Sequence, residues 1–215
     1  MRKTIFANDE YYHIYNRGVD KRKVFLAMRD YKRFILGINE FNNEKLTVSL
    51  RDKQNINSRS HASGNLGKDP LVEIVAYCLN PNHYHFILKQ LKERGIEKFM
   101  HRLGTSYSKY FNIKNGRNGT LFQGPFKDIH IDSNEYLLYL SAYVNANNFI
   151  HGYSKDKSWQ FSGFLDYIGE RDEKICNKEV ILSQFRNARD YEEFMNKNAS
   201  HLKEKKGLEK YLLEE

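Results

Sequence analysis

At 215 residues, with 40% hydrophobic and 29% charged side chains, the chain can bury a core of its own and fits one domain, with or without an appendage. Its 35 Lys and Arg against 27 Asp and Glu give a formal charge of +8, which favours a polyanionic partner, nucleic acid before membrane. The two cysteines, Cys78 and Cys176, exclude a disulfide framework and a zinc ribbon; no segment has the apolar length of a membrane span, and Met1–Phe6 lacks a secretory signal, so a cytoplasmic, reducing compartment is expected.

The aromatic, β-branched run 11–16 predicts a first strand, followed by a basic loop over 17–23 and a short strand or loop at 24–26. Asp30 suits a helix N-cap, and Phe34, Ile35, Ile38 and Phe41 follow at helical spacing. Residues 51–70, rich in Ser, Asn and Gly, read as a flexible loop within one domain. Strands are predicted over 71–79 and 83–89, joined by the turn Asn80-Pro-Asn82. Residues 93–111 predict a helix whose stripe comprises Ile96, Phe99, Met100, Leu103, Tyr107, Tyr110 and Phe111. After the break at 115–119 come an extended piece at 121–126, a last strand near 129–131 and a helix opened by Ser133. Residues 178–213 read as one or two charged amphipathic helices, within a C-terminal appendage at 169–215. Hairpin-paired strands between helices imply α+β with an antiparallel sheet.

Two histidines one residue apart, His83 and His85, follow the turn Asn80-Pro-Asn82. On a strand they share a face, with Tyr84 and Phe86 on the other, so both imidazoles can reach one metal ion. Imidazole by itself suits zinc better than magnesium, and spacing identifies no third ligand. About twenty residues on, Tyr107 and Tyr110 offer phenols on a predicted helix. A phenol of pKa about 10 needs a cation, base or metal nearby to attack a phosphate. Tyr107 lies near the centre of the apolar stripe and Tyr110 toward its edge; the bland alternative is that both are core side chains.

Several stretches, in this order, resemble the HUH transposases with a single catalytic tyrosine, in particular the REP-associated tyrosine transposases and their insertion-sequence relatives. They are His13-Ile-Tyr-Asn-Arg-Gly18, Ala76-Tyr-Cys-Leu-Asn-Pro-Asn-His-Tyr-His-Phe-Ile-Leu88, Tyr107-Ser-Lys-Tyr-Phe-Asn112, Gly119-Thr-Leu-Phe-Gln-Gly-Pro-Phe-Lys127 and Tyr143-Val-Asn-Ala-Asn147, the last resembling a Tyr-Ile-x-x-Asn-Pro element. The resemblance covers about residues 8–168 and makes 1–168 the expected catalytic domain. It implies a ferredoxin-like antiparallel sheet with packed helices, His83 and His85 as metal ligands for Mg²⁺ or Mn²⁺, and Tyr107 as nucleophile. The substrate it implies is single-stranded DNA, often beside a hairpin, cleaved through a 5′-phosphotyrosine and rejoined. Three departures stand out. Phe111 occupies the position, one helical turn after Tyr107, where insertion-sequence relatives carry a Gln ligand; Pro125 replaces an Arg; Asn148 replaces a Pro.

The basic candidates for DNA contact are Arg17, Lys21, Arg22 and Lys23 after the first strand, and Lys109, Lys114, Arg117 and Lys127 around the tyrosine and its following loop; Gln123 is a candidate reader of base edges. His13 is a further candidate for the metal site, or a core histidine of an aromatic strand. The expected function is a metal-dependent transposase and single-strand endonuclease. The alternatives are a catalytically degenerate DNA- or RNA-binding module, and a zinc hydrolase built on His83 and His85. No membrane partner is expected, and the C-terminal helices could mediate dimerisation, add DNA contacts or only cap the core.

Overall fold

Two side-chain sets alternate along the first strand and define the two faces of the sheet on which the molecule is built. The computed structural model describes residues 4–45, 69–155, 158–171 and 175–204. Strands β1 (Tyr11–Arg17), β2 (Val72–Leu79), β3 (His83–Gln90) and β4 (Lys127–Ile131) form one sheet in the order β2-β3-β1-β4, antiparallel throughout. Helix α1 (Met28–Phe41) connects β1 to β2, and α2 (Gly95–Lys114) connects β3 to β4, the ferredoxin-like order. Then come α3 (Asn134–Asn145), α4 (Asn147–Ile150), α5 (Phe164–Tyr167), α6 (Glu179–Leu182) and α7 (Ala188–Glu204). The expected loop at 51–70 lies, but for its last two residues, outside the described residues, as does 205–213 of the expected C-terminal helices.

Helices α1 and α2 cover one face of the sheet. Phe34 of α1 packs on Tyr84 and Phe86 of β3, and Phe99 of α2 meets Phe86 edge-on. By strand alternation His83 and His85 point to the opposite face, which α3 and α4 cover: Tyr143 of α3 meets His85 at 5.7 Å between ring centroids. That second layer is backed by α7, whose Tyr191, Met195 and Ala199 are fully buried. Residues 175–202 therefore contribute to the same core; Asp166 bonds Arg171 and the N–H groups of Ile175 and Cys176, and Asn177 N donates to Ile74 O of β2.

Two helix starts illustrate what capping does here. Ser133 caps α3 as its sequence suggests, accepting from Tyr136 N at 3.3 Å. Asp30 is not the N-cap of α1 but its third residue. From there it reaches back to accept from the N–H groups of Leu26 (2.9 Å) and Ala27 (3.0 Å), satisfying donors just before the first turn.

Candidate active site

The turn Asn80-Pro-Asn82 delivers His83 and His85 onto the α3–α4 face, both almost wholly buried. Their rings stand at 87° with centroids 5.1 Å apart. His83 Nδ1 lies 2.6 Å from Asn82 Oδ1, and that amide is oriented by its own Nδ2 donating to Lys21 O. The proton of His83 is thereby assigned to Nδ1 and the lone pair to Nε2. His83 Nε2 faces two amides: Asn80 Nδ2 at 2.8 Å and Asn147 Oδ1 at 3.2 Å. His85 Nδ1 is 2.9 Å from His13 Nε2 on the neighbouring strand, and the His13, Tyr15 and His85 rings lie nearly parallel, 5.0–5.8 Å apart. Burial, with the nearby His151 and Arg17 adding to it, pushes the His85 imidazole down to about 3, so it stays neutral at ordinary pH. His13 is thus a core histidine bonded to a site histidine, which joins the two readings its sequence context left open.

Tyr107 does not meet the histidines. It lies on the other face of the sheet, 2% exposed, packed on Phe25 at 5.2 Å and Phe34 at 5.0 Å, and its hydroxyl donates to Val24 O at 2.6 Å. Burial pushes its phenol far above the usual tyrosine range, the wrong direction for a nucleophile. The cause is the helix itself: the centre of an apolar stripe is the part that packs, and α2 packs against the sheet face away from His83 and His85. Tyr110 is also spent elsewhere, its hydroxyl donating to Asp30 Oδ1 at 2.9 Å.

Three phenols border the histidines: Tyr15, its ring 5.8 Å from that of His85, Tyr153, its ring 6.0 Å from that of His83 and its hydroxyl donating to Asn82 Oδ1, and Tyr143 of α3, 4% exposed, its ring at 78° to His85. Four residues on, across the near-helical Ala146, Asn147 places its amide oxygen beside His83. The sequence carried the signal. Tyr143-Val-Asn-Ala-Asn147 puts a tyrosine and an amide one helical turn apart, the spacing at which Phe111 fails Tyr107.

Among the described residues no group of three His, Cys, Asp or Glu surrounds a common point, so a zinc-type site built from those side chains alone is absent there. A mixed set of two imidazoles and the Asn147 amide oxygen does fit a hard divalent ion. His83 Nε2 and Asn147 Oδ1 lie 3.2 Å apart, two acceptor atoms that would together hold such an ion.

The basic candidates divide. Arg17 sits opposite His83 in register, and Lys127 opposite Tyr15, with its ammonium 5.9 Å from the Tyr15 ring centre, so both lie on the histidine face. Lys21 and Lys23 are exposed in the loop that packs on the 81–82 turn, through Val24 N to Pro81 O. Arg22 pairs with Asp20, and Arg117 bonds Asn112 and lies over the Phe111 ring. Lys114 is tied to the buried Asp30 carboxylate, on the α1–α2 side. Lys109 is exposed on α2, in the layer away from the histidines, and Gln123 is exposed in the loop whose backbone bonds Arg17 O. A cavity of about 500 Å³ opens on that other side, lined by Tyr84, Met100, Gly104, Thr105, Phe122 and Phe126 among others, away from the histidines.

Residues 50–147, just under half of the chain, match the family of IS200-like transposases, a stretch that contains His83, His85, Tyr107, Tyr143 and Asn147 alike. A solved REP-associated tyrosine transposase bound to a REP hairpin is similar in fold, with a TM-score of 0.51 and 19% identity over 79% of this chain and 85% of that one. No curated protein matches.

Proposed function

We propose, from the match of residues 50–147 to the IS200-like transposase family, that this chain is a transposase that cuts and rejoins single-stranded DNA with Tyr143, not Tyr107, as the nucleophile. That the protein is a transposase acting on DNA is supported by this match. The observation that carries the finer reading is the meeting of Tyr143, His85, His83 and Asn147 on one face of the sheet. His83, His85 and Asn147 are the residues that would hold a divalent ion, Mg²⁺ or Mn²⁺; when bound, the ion supplies charge neutralisation to the phosphate oxygens.

The chain's own residues supply the rest. Tyr143 Oη forms a bond to phosphorus as the bond to the 3′-oxygen breaks, its proton passing to solvent. The DNA 3′-oxygen leaves as a hydroxyl after taking up a proton, and its later return reverses the step. Asn82 and His13 hold the histidine rings through Nδ1, so orientation is set before DNA arrives. Arg17 and Lys127 lie where a strand crossing the sheet toward the histidines would run, with Lys21 and Lys23 at its end. The hairpin held by the similar solved protein supports a hairpin-bearing strand as substrate.

The test is a labelled hairpin oligonucleotide incubated with Mn²⁺ and resolved under denaturing conditions. Tyr143→Phe is expected to lose the covalent adduct while still binding DNA, and Tyr107→Phe to keep it. The reverse result would return the role to Tyr107. DNA binding without adduct in the wild type would favour the catalytically degenerate module.

A further inference from the structure

Asn80 and Asn148 are buried amides in the candidate site that the proposed chemistry does not use. Their bonding is directional. Asn148 Nδ2 donates to Asn80 Oδ1 at 3.0 Å, with the Cys78 thiol at 3.7 Å from the same oxygen. Asn80 is thereby turned so that its NH₂ group faces inward. There it donates to two acceptors at once, His83 Nε2 at 2.8 Å and Asn147 Oδ1 at 2.5 Å.

Those two acceptors are themselves 3.2 Å apart. Two buried lone pairs that close repel unless something positive lies between them. A divalent cation would do this, and in its absence a doubly donating NH₂ group does the same at lower charge. We infer that the Asn80 side-chain amide is a built-in placeholder for the cation, held inward by Asn148, and that ion uptake proceeds by displacing it from His83 Nε2 and Asn147 Oδ1. The inference rests on the ion assignment under Proposed function. It also gives a role to Asn148, whose side-chain amide turns Asn80 inward. The consequence is that His83 Nε2 and Asn147 Oδ1 stay hydrogen-bonded without metal, and that the site binds metal more weakly than its donors alone would allow.

The sign of one measurement decides. Mn²⁺ affinity of the full chain is read from the free-ion electron paramagnetic resonance signal, without DNA or turnover. Asn80→Ala removes the competing donor, and Mn²⁺ is expected to bind roughly tenfold more tightly, the equivalent of one to two released hydrogen bonds. Asn148→Ala leaves the amide but releases its anchor, and is expected to fall between wild type and Asn80→Ala; it decides the matter if Asn80→Ala does not fold. Unchanged or weaker binding in the folded variants overturns the placeholder. His83→Ala separates the two levels. If wild-type Mn²⁺ binding is insensitive to it, the ion assignment fails and the placeholder with it; if binding depends on His83 but removing the Asn80 amide does not tighten it, only the placeholder falls.

Discussion

A neutral imidazole in a dry site is a pH-dependent load on the fold, and His85 carries that load. Its folded-state value is depressed to about 3 by burial first and by the positive surroundings of His151 and Arg17 second, against about 6.5 in the unfolded chain. Below pH 6.5 the unfolded chain takes up a proton that the folded chain refuses, so acid favours unfolding. The metal-free protein should hold its full stability above about pH 6.5 and lose up to about 1.4 kcal/mol per pH unit from there toward pH 3 on account of this residue. Urea unfolding in chelator at pH 7, 5.5 and 4.5 measures the slope, and His85→Gln should flatten it. Equal slopes in both proteins would mean that the ring is protonated in the fold. That His83 and His85 share a face was legible from their spacing alone, because strand periodicity is strictly two. The arrival of Asn147 was not, since it lies 64 residues from His83 and meets it only through tertiary packing.

Helix periodicity shows which stripe of an element is buried but not which sheet face buries it. Six of the seven residues of the α2 stripe, Ile96, Phe99, Met100, Leu103, Tyr107 and Phe111, are buried, and the seventh, Tyr110, is part-buried at its edge. Placing Tyr107 beside the histidines required a further step that the stripe does not contain, and α2 packs on the far face. The α3 segment, buried nearly all round over residues 140–145, had no narrow stripe to single out Tyr143. A second element-scale feature is the knot at the start of α1. Burial alone would raise the Asp30 carboxyl, but the Lys114 ammonium, the Leu26 N–H, the Tyr110 hydroxyl and the Ala27 N–H reverse this and hold it below its ordinary value. One fully buried carboxylate thus ties the entry of α1 to the end of α2. Asp30→Ala leaves Lys114 and Tyr110 unpartnered there and two backbone donors open, and should cost about 3–5 kcal/mol by chemical denaturation. A loss below about 1 kcal/mol would show that solvent already reaches this knot. Lys114→Met, which keeps the stem, should cost less than Asp30→Ala, because the carboxylate retains its other donors.

At the scale of the whole molecule, the layers rank in order of support: the sheet holds the histidines, α3 lays Tyr143 over them, and α7 braces α3 from outside. The brace has a chemical contact at its centre. Tyr191 of α7, fully buried, accepts from Asn145 Nδ2 at 2.9 Å and pairs with Ser141 Oγ at 3.2 Å. Ser141 and Asn145 flank Tyr143 by two residues on either side, so the C-terminal helix grips the segment that carries the phenol. Its charged, amphipathic sequence suggested an appendage because the apolar stripe of an outer helix looks the same whether it covers a partner or its own chain. Tyr191→Phe keeps the ring but removes both bonds, leaving the Asn145 amide buried with one donor group unmatched. Stability should fall by about 1–3 kcal/mol, seen as a lower melting temperature. Adduct formation at saturating hairpin DNA should also slow, because a looser α3 holds Tyr143 less often against His85, while DNA affinity stays at the wild-type value. A destabilised variant that forms adduct at the wild-type rate would show that α7 supports the fold without setting the position of Tyr143.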